Sequence, residues 1–197
     1  MRALFKVLVA VLMSTLTAPT ALAQVVVGST VSPLSGAAAF CISFPDRCES
    51  QSPAVVEMTE LRFAELYVVN HLVNETITYQ REPPGIDIWQ DRDFTEGDCE
   101  DFALLKRRKL ISAKWDPGAL RIAIVLRNWG DEELHAFLIA ATDQGDFVLD
   151  IPAEDSEDIG AIRTWNPKEF AEVRMIWGAD GAWYALGSDV KTVSGAQ

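Results

Sequence analysis

The stretch that decides the fold is Gly97-Asp98-Cys99-Glu100-Asp101-Phe102-Ala103, which puts a cysteine at the predicted first turn of a helix. Helix formers continue from Cys99 to Ala113, and Asp98 is the predicted N-cap. Acidic residues open this segment and basic residues fill its later part, the order that the helix dipole favours. The partial positive charge at a helix start favours thiolate over thiol, so a cysteine there is a better nucleophile.

Three β-rich runs follow the helix, at residues 120–127, 134–141 and 147–151. His135 begins the second run and Asp150 ends the third. In an antiparallel pair closed by the turn at Gln144-Gly145, both lie at the end away from that turn, where opposed or diagonal side chains are within reach. We therefore predict a catalytic triad in which Cys99 attacks a carbonyl, His135 carries the proton and Asp150 orients the imidazole.

Each member of this triad also has a purely structural explanation. A lone cysteine on a helix is usually a small core residue, a histidine that begins a strand is often on the surface, and an aspartate at a strand end often caps a turn. The occurrence of all three at matching ends of compatible elements favours the catalytic interpretation.

The first 23 residues predict a secretory signal peptide. They have a basic start at Arg2 and Lys6, an apolar run at 7–12 and a small-residue close at Ala21-Leu22-Ala23. A membrane anchor is the alternative, but the apolar run is much shorter than the roughly 20 residues that span a bilayer. The net charge of −12 argues against nucleic acid or an anionic membrane as a partner. We expect a periplasmic or secreted protein that is not inserted in the membrane after cleavage.

The mature chain is long enough for one domain with its own core. Residues 24–53 are small and polar and predict an irregular lead-in, whereas 54–190 form the main domain and 191–197 a flexible tail. Thr59 is the predicted N-cap of a helix that ends near Glu75. The side chains predicted to face the core from this helix are Met58, Leu61, Val68, Val69, Leu72 and Val73. A final hairpin is predicted from 173–178 and 183–186.

Three cysteines in an exported chain must each be assigned as disulfide-bonded or free. Cys41 and Cys48 flank a Pro-Asp turn that could bring them into bonding range, and their pairing in a short disulfide loop leaves Cys99 free. Two alternatives stay open: all three cysteines reduced and buried, or Cys41 paired with Cys99, which would abolish the predicted triad.

The sequence resembles the bacterial transglutaminase-like cysteine proteinases from about Phe40 to Leu186. The motifs that carry the resemblance are Phe40-Cys41 through Pro45 and Cys48, Val69-Asn70 with Val73-Asn74, Asp87-Ile88-Trp89, Gly97 through Arg108, Leu134 through Leu138, and Gly145 through Asp150. The resemblance implies an α+β fold of the transglutaminase-like or papain-like type, with helices packed on an antiparallel sheet. It identifies 54–190 as a transglutaminase-like catalytic domain and matches the predicted triad to the triad positions of the family.

Some of these relatives are periplasmic calcium-dependent proteases that cleave large surface adhesins. In them, acidic residues beside the cysteine help to hold calcium, which would correspond to Asp98 and Glu100. Negative charge beside a thiol raises the pKa of the thiol, and a bound Ca²⁺ would offset that negative charge. A plain acidic first turn is the alternative. The stretch 80–84 stands where those proteases have a further acidic ligand, with shorter spacing, so the completeness of a calcium site is open. No other cofactor is expected.

Three functions are consistent with these features. The first is an exported cysteine endopeptidase that acts through a thioester on an exported or surface protein. The second uses the same triad for transglutaminase or amidase acyl transfer, because the acceptor alone separates the two outcomes. The third is a secreted binding module without activity, with Trp129, Trp165 and Trp183 as exposed contact points.

Overall fold

The computed structural model describes residues 25, 27–92, 94–126, 134–152, 156–166 and 172–186. The predicted signal peptide, the predicted tail at 191–197 and Trp129 lie outside these ranges. Within them, no helix combines the length and the hydrophobicity needed to cross a membrane.

The described residues form three α-helices and nine strands. The helices are α1 (Ser35–Ser43), α2 (Glu60–Thr76) and α3 (Cys99–Ser112). The strands are β1 (Val27–Val31), β2 (Thr78–Tyr79), β3 (Glu96–Gly97), β4 (Leu120–Leu126), β5 (Leu134–Thr142), β6 (Gly145–Leu149), β7 (Arg163–Thr164), β8 (Glu172–Trp177) and β9 (Trp183–Leu186). Single 3-10 turns occupy Pro45–Arg47 and Pro117–Ala119.

Seven strands form one sheet in the order β1-β9-β8-β4-β5-β6-β7, and every pairing in it is antiparallel. Strands β4 to β7 form a meander, while β8 returns to the far side of β4. This confirms the predicted α+β class with helices on an antiparallel sheet. The short parallel pair of β2 and β3 stands apart and links the end of α2 to the residues immediately before α3.

The tight turn between β5 and β6 is where the sequence indicated it. Thr142 pairs with Gly145, whose φ of 99° is left-handed backbone that glycine adopts without strain. The predicted final hairpin is also present as β8 and β9.

The expectation of an irregular segment at 24–53 is wrong. This segment contains β1, which pairs with β9 at an edge of the sheet, and α1, whose Phe40 is buried in the main core. The sequence did not predict either element, because both are rich in small and polar residues. Strand β1 is an exposed edge strand, and α1 buries only a few side chains. The folded unit therefore begins well before residue 54.

Helix α2 begins where the sequence predicted, and the hydroxyl of Thr59 accepts a hydrogen bond from the N–H of Arg62. Its predicted core face is wrong in part. Leu61, Val68 and Leu72 are exposed. The buried residues are Leu66, Val69, Asn70 and Val73. The apolar arc in the sequence is wider than the face that α3 and the 158–161 segment cover, so only one side of it is buried.

Helix α3 is buried through most of its first ten residues, against β5 on one side and α2 on the other. Lys106 is itself buried, whereas Ala113, at the predicted end of the helix, is exposed and follows the observed helix end. Packing α3 between the sheet and α2 fixes its N-terminus at the edge where β5 begins.

Candidate active site

Cys99 is the first residue of α3, and its position is set by a capping arrangement. The carboxylate of Asp101, at the third helical position, accepts a hydrogen bond from the N–H of Asp98, one half of a capping box. Asp98 occupies the predicted N-cap position with extended backbone, but its side chain caps no helix N–H. The carboxylate of Asp101 thus pairs with the backbone of Asp98. The carboxylate of Asp98 faces other acidic groups instead of the helix.

Cys99 is a free, half-buried thiol. Cys41 and Cys48 form a disulfide that closes the end of α1 onto the following 3-10 turn. The alternative pairing of Cys41 with Cys99 is therefore not the one that the structure contains.

The imidazole of His135 contacts the carboxylate of Asp150. His135 Nε2 lies 2.6 Å from Asp150 Oδ1, and the His135 side chain is almost completely buried. In the register of β5 and β6, Leu138 pairs with Leu149, so one step further Asp150 stands opposite Phe137 and diagonal to His135. Diagonal neighbours on one face of an antiparallel pair are within side-chain reach. With Nε2 directed at Asp150, a proton exchanged with any other group passes through Nδ1.

Several groups hold Asp150 in place at the end of β6. Its backbone carbonyl accepts hydrogen bonds from Asn74 Nδ2 at 3.1 Å and from Lys106 Nζ at 2.9 Å. Its carboxylate accepts from the N–H of Ile151 at 2.8 Å, and Arg163 Nη2 lies 3.4 Å from Oδ2. Helices α2 and α3 and strand β7 therefore all contribute to the placement of one carboxylate. None of these supporting contacts was predicted from the sequence.

The sulfur of Cys99 is next to the strand that carries His135. The backbone N–H of Ala136 donates a hydrogen bond to the sulfur, which favours the thiolate. Burial and the carboxylates of Glu100 and Asp98 act in the opposite direction, and together they raise the pKa of the Cys99 thiol well above its usual range. The thiol itself donates to Glu100 Oε2 at 3.2 Å.

Three carboxylates converge beside the cysteine. One oxygen from each of Glu82, Asp98 and Glu100 lies within 4.8 Å of the other two. Burial raises the pKa of all three groups, and the charge of Asp98 raises the pKa of Glu82 and of Glu100 further. Oδ1 of Asp98 is buried without a hydrogen-bond partner. Asp98 and Glu100 were expected here, whereas Glu82 was not assigned, although the stretch 80–84 stands where relatives have an acidic ligand.

The loop that brings Glu82 to this cluster is anchored through Asp87. Asp87 Oδ2 accepts hydrogen bonds from the N–H of Gly36 at 2.6 Å and from the Ser35 hydroxyl at 2.9 Å, both at the start of α1. Its other oxygen accepts from the indole N–H of Trp89 at 2.9 Å. The N–H of Ile88 donates back to the carboxylate of Glu82. Helix α1 therefore supports one wall of the site.

A cleft of about 290 Å³ contains these groups. Cys99, His135 and Ala136 line it together with Asp98 and Glu100. Its apolar walls come from Leu34, Ile86, Trp89, Ile124 and Leu134. A thiol, an imidazole paired with a carboxylate, and a helix N-terminus can together support nucleophilic attack on a carbonyl carbon.

The tryptophans proposed as exposed contact points are not exposed where the structure describes them. Trp165 and Trp183 are both about 4% exposed. Trp183 stacks on Trp177 and meets Trp89 edge to face. These two residues belong to the core, which removes their support for a binding module.

Comparison with solved structures shows the fold. LapG of Legionella pneumophila in an EGTA-treated form matches with 22% identity and a TM-score of 0.52, over 70% of this chain and 76% of LapG. Its calcium-bound form matches with 18% identity and a TM-score of 0.50, over 70% and 77% of the two chains. No curated protein sequence matches significantly.

A family model extends this likeness to the sequence. The model described as "Bacterial transglutaminase-like cysteine proteinase BTLCP" matches residues 26–189, which include both ends of the sheet and every residue of the cleft. An enzyme of the transglutaminase-like cysteine peptidase class is thus indicated by sequence and fold together. The chain belongs to the bacterial transglutaminase-like cysteine proteinase family.

Proposed function

We propose that this chain is an exported cysteine endopeptidase that cleaves a periplasmic or surface protein through a thioester on Cys99. The observation that carries the proposal is the contact of His135 Nε2 with Asp150 Oδ1. His135 lies on β5, and the backbone N–H of the next residue, Ala136, donates to the sulfur of Cys99. A large adhesin, the type of substrate cleaved by some members of the family, is the substrate class that we propose.

The proposed chemistry follows from the placement of the groups. His135 takes the thiol proton through Nδ1, because Nε2 is occupied by Asp150. The thiolate forms a bond to the carbonyl carbon of the scissile peptide, and the tetrahedral intermediate collapses as the imidazolium gives its proton to the leaving amine. Water then attacks the thioester with His135 as the base, which releases the new carboxylate and restores the thiol. The backbone N–H of Cys99, at a helix start, is a candidate donor to the oxyanion.

We further propose that Glu82, Asp98 and Glu100 hold a calcium ion. The residues fit this cation, because three oxygen ligands lie within 4.8 Å of one another and one of their oxygens is buried without a partner. When bound, the cation would supply positive charge that offsets the carboxylates and favours the thiolate of Cys99. The calcium-bound form of LapG, which shares the fold, supports this choice of metal.

The decisive experiment compares wild-type protein with Cys99→Ala in calcium-containing buffer. We expect the wild type to shorten an exported surface protein and Cys99→Ala to leave it intact, with unchanged circular dichroism. His135→Ala should behave like Cys99→Ala, whereas His71→Gln is the matched control, since the chain has only two histidines. Cleavage by Cys99→Ala at the wild-type rate would refute the assignment. A labelled amine added to the reaction distinguishes hydrolysis from acyl transfer, because only transfer incorporates the label.

A further inference from the structure

Lys106 is a buried lysine on α3 that the proposed chemistry does not use. Its side chain is 1% exposed, and its ammonium lies over the ring of Phe102, 5.7 Å from the centroid. Nζ donates to the backbone carbonyl of Asp150 at 2.9 Å. Burying an ammonium group costs free energy unless hydrogen bonds or an opposite charge compensate for it. A methionine would fill a similar volume without that cost, so packing alone does not account for a lysine here.

The carbonyl that Lys106 binds is at a critical point of the chain. Strand β6 ends at Leu149, and Asp150 is the first residue after it. Its carbonyl is bound by side chains from two helices, Lys106 of α3 and Asn74 of α2. These contacts fix the backbone from which the carboxylate of Asp150 reaches His135.

The same helix carries both Lys106 and Cys99. They are seven positions apart in the chain, so they are about 10 Å apart along the helix axis at 1.5 Å per residue. Lys106 therefore connects the helix that presents the sulfur to the strand end that presents the carboxylate. A rigid α-helix between these two points sets the distance from the nucleophile to the group that orients the imidazole.

We propose that Lys106 is a positioning residue of the active site, which ties the backbone of Asp150 to α3 and so keeps its carboxylate in contact with His135. This inference rests on the proposed triad. Burial lowers the pKa of Lys106 to about 7, and the nearby charge of the Asp150 carboxylate acts in the opposite direction, in favour of the ammonium form. Arg163 also contacts this carboxylate. Without Lys106, Asp150 keeps its bond from Asn74 but loses the link to the helix of the nucleophile.

The test compares Lys106→Met with the wild type and with Lys109→Met, an exposed lysine of the same helix. The first readout is the downfield proton resonance of the His135 Nε2–H, which reports its hydrogen bond to Asp150. Assignment is simple, because His71→Gln removes the only other histidine. The second readout is the rate at which iodoacetamide alkylates Cys99 near neutral pH in calcium-containing buffer, followed by intact mass.

We expect Lys106→Met to fold, to lose or shift the His135 resonance and to slow alkylation by up to about 100-fold, the effect of misplacing a catalytic group by about 1 Å. Lys109→Met should match the wild type in both readouts. An unchanged resonance and rate in folded Lys106→Met would overturn the proposal and leave the triad untouched. A resonance that depends on Lys106, in a protein whose cleavage activity survives Cys99→Ala, would instead support the positioning role and refute the proposed function.

A measurement on the wild type keeps the proposal testable if Lys106→Met does not fold. The bond from Lys106 Nζ to the Asp150 carbonyl predicts a through-hydrogen-bond coupling between the lysine nitrogen and the carbonyl carbon. Detection of this coupling supports the contact on which the proposal depends, and its absence overturns it.

Discussion

The thiol of Cys99 donates its hydrogen bond to Oε2 of Glu100, 3.2 Å away, and so points at the acidic cluster. This contact stabilises the protonated sulfur, and the charge of Glu100 adds to the effect by raising the pKa of Cys99. The thiol is therefore held in its less reactive, protonated form by the residue that follows it. Any group that engages the Glu100 carboxylate changes the reactivity of the thiol.

Replacing Glu100 with glutamine is expected to lower the pKa of Cys99, because it removes a neighbouring negative charge. In alkaline, calcium-free buffer, where Glu100 is ionised, Glu100→Gln should be alkylated faster than the wild type, by about tenfold for each unit of pKa. The rate should also lose its response to calcium. Glu96→Gln, at an exposed position on β3, is the control. Slower alkylation of Glu100→Gln than of the wild type would contradict this reading of the contact.

Asp150→Asn is expected to keep the fold but to lower kcat by about 10³-fold or more, the scale seen when the acid of a Ser-His-Asp triad is replaced by its amide. Asparagine can present its amide to His135 Nε2, which favours the wrong tautomer of the imidazole. The measurement is steady-state cleavage of the protein substrate, with Asp46→Asn as a control at an exposed position. Activity within a few fold of the wild type would show that Asp150 does not act in the triad.

Calcium is expected to raise the Tm of the wild type. A ligand that binds only the folded state at 100 times its Kd adds about 2.7 kcal/mol to the free energy of unfolding. Glu82→Gln should weaken calcium binding about tenfold or more in titration calorimetry and reduce the rise in Tm. Glu75→Gln, an exposed carboxylate on α2, should leave both unchanged. Equal calcium affinity in Glu82→Gln and the wild type would remove Glu82 from the proposed site.

Gly36→Ala is expected to destabilise the protein, although alanine usually favours a helix by about 1 kcal/mol over glycine. A Cβ at Gly36 would lie 2.4 Å from Asp87 Oδ1 and 2.4 Å from Trp89 Cδ1. Overpacking of this kind costs about 1–3 kcal/mol, and it would push away the loop that carries Glu82. Chemical denaturation measures the loss. Ser35→Ala, which removes only the hydroxyl bond to Asp87, should cost less; a more stable Gly36→Ala would show that the loop moves without penalty.

Asp146 is expected to make stability depend on pH. Burial raises the pKa of this carboxyl. The hydrogen bond from the N–H of Val25 and the charge of Arg121 lower it by less. The folded state therefore holds the proton more tightly than the unfolded chain does. Between the usual pKa of about 4 and the raised value, the free energy of unfolding falls as pH rises, by about 1.4 kcal/mol for each unit of elevation.

Asp146→Asn should remove this share of the pH dependence, since it keeps a carbonyl acceptor for Val25 and cannot ionise. Urea unfolding of both proteins at several pH values between 4 and 7 gives the difference. A difference in stability that does not change across this range would show that Asp146 titrates normally. Asp158→Asn, on the surface, is the control.

Local chemistry made several parts of the fold predictable. Thr59 caps α2, Gly145 closes the turn between β5 and β6, and the dipole-matched charges of α3 put Cys99 at its first position. Each of these depends on residues within a few positions of one another. The core face of α2 was only partly predicted, because Leu61 and Val68 carry the same apolar signal as the residues that are buried. Which side of an apolar arc is covered depends on neighbours that are distant in sequence.

The sequence by itself determined the identity of Cys99, His135 and Asp150 as a candidate triad and of Asp98 and Glu100 as its acidic neighbours. Residue type, order and the ends of predicted elements were sufficient for that. Only the tertiary structure brought Glu82 to the same cluster and connected its loop to α1 through Asp87. It also placed Lys106 in hydrogen-bond contact with the backbone carbonyl of Asp150. These contacts join segments that are distant in the chain, and they form because burying the apolar faces of α1, α3 and the sheet brings those segments together. Periodicity reports how an element is buried, whereas it carries no information on which distant partner buries it.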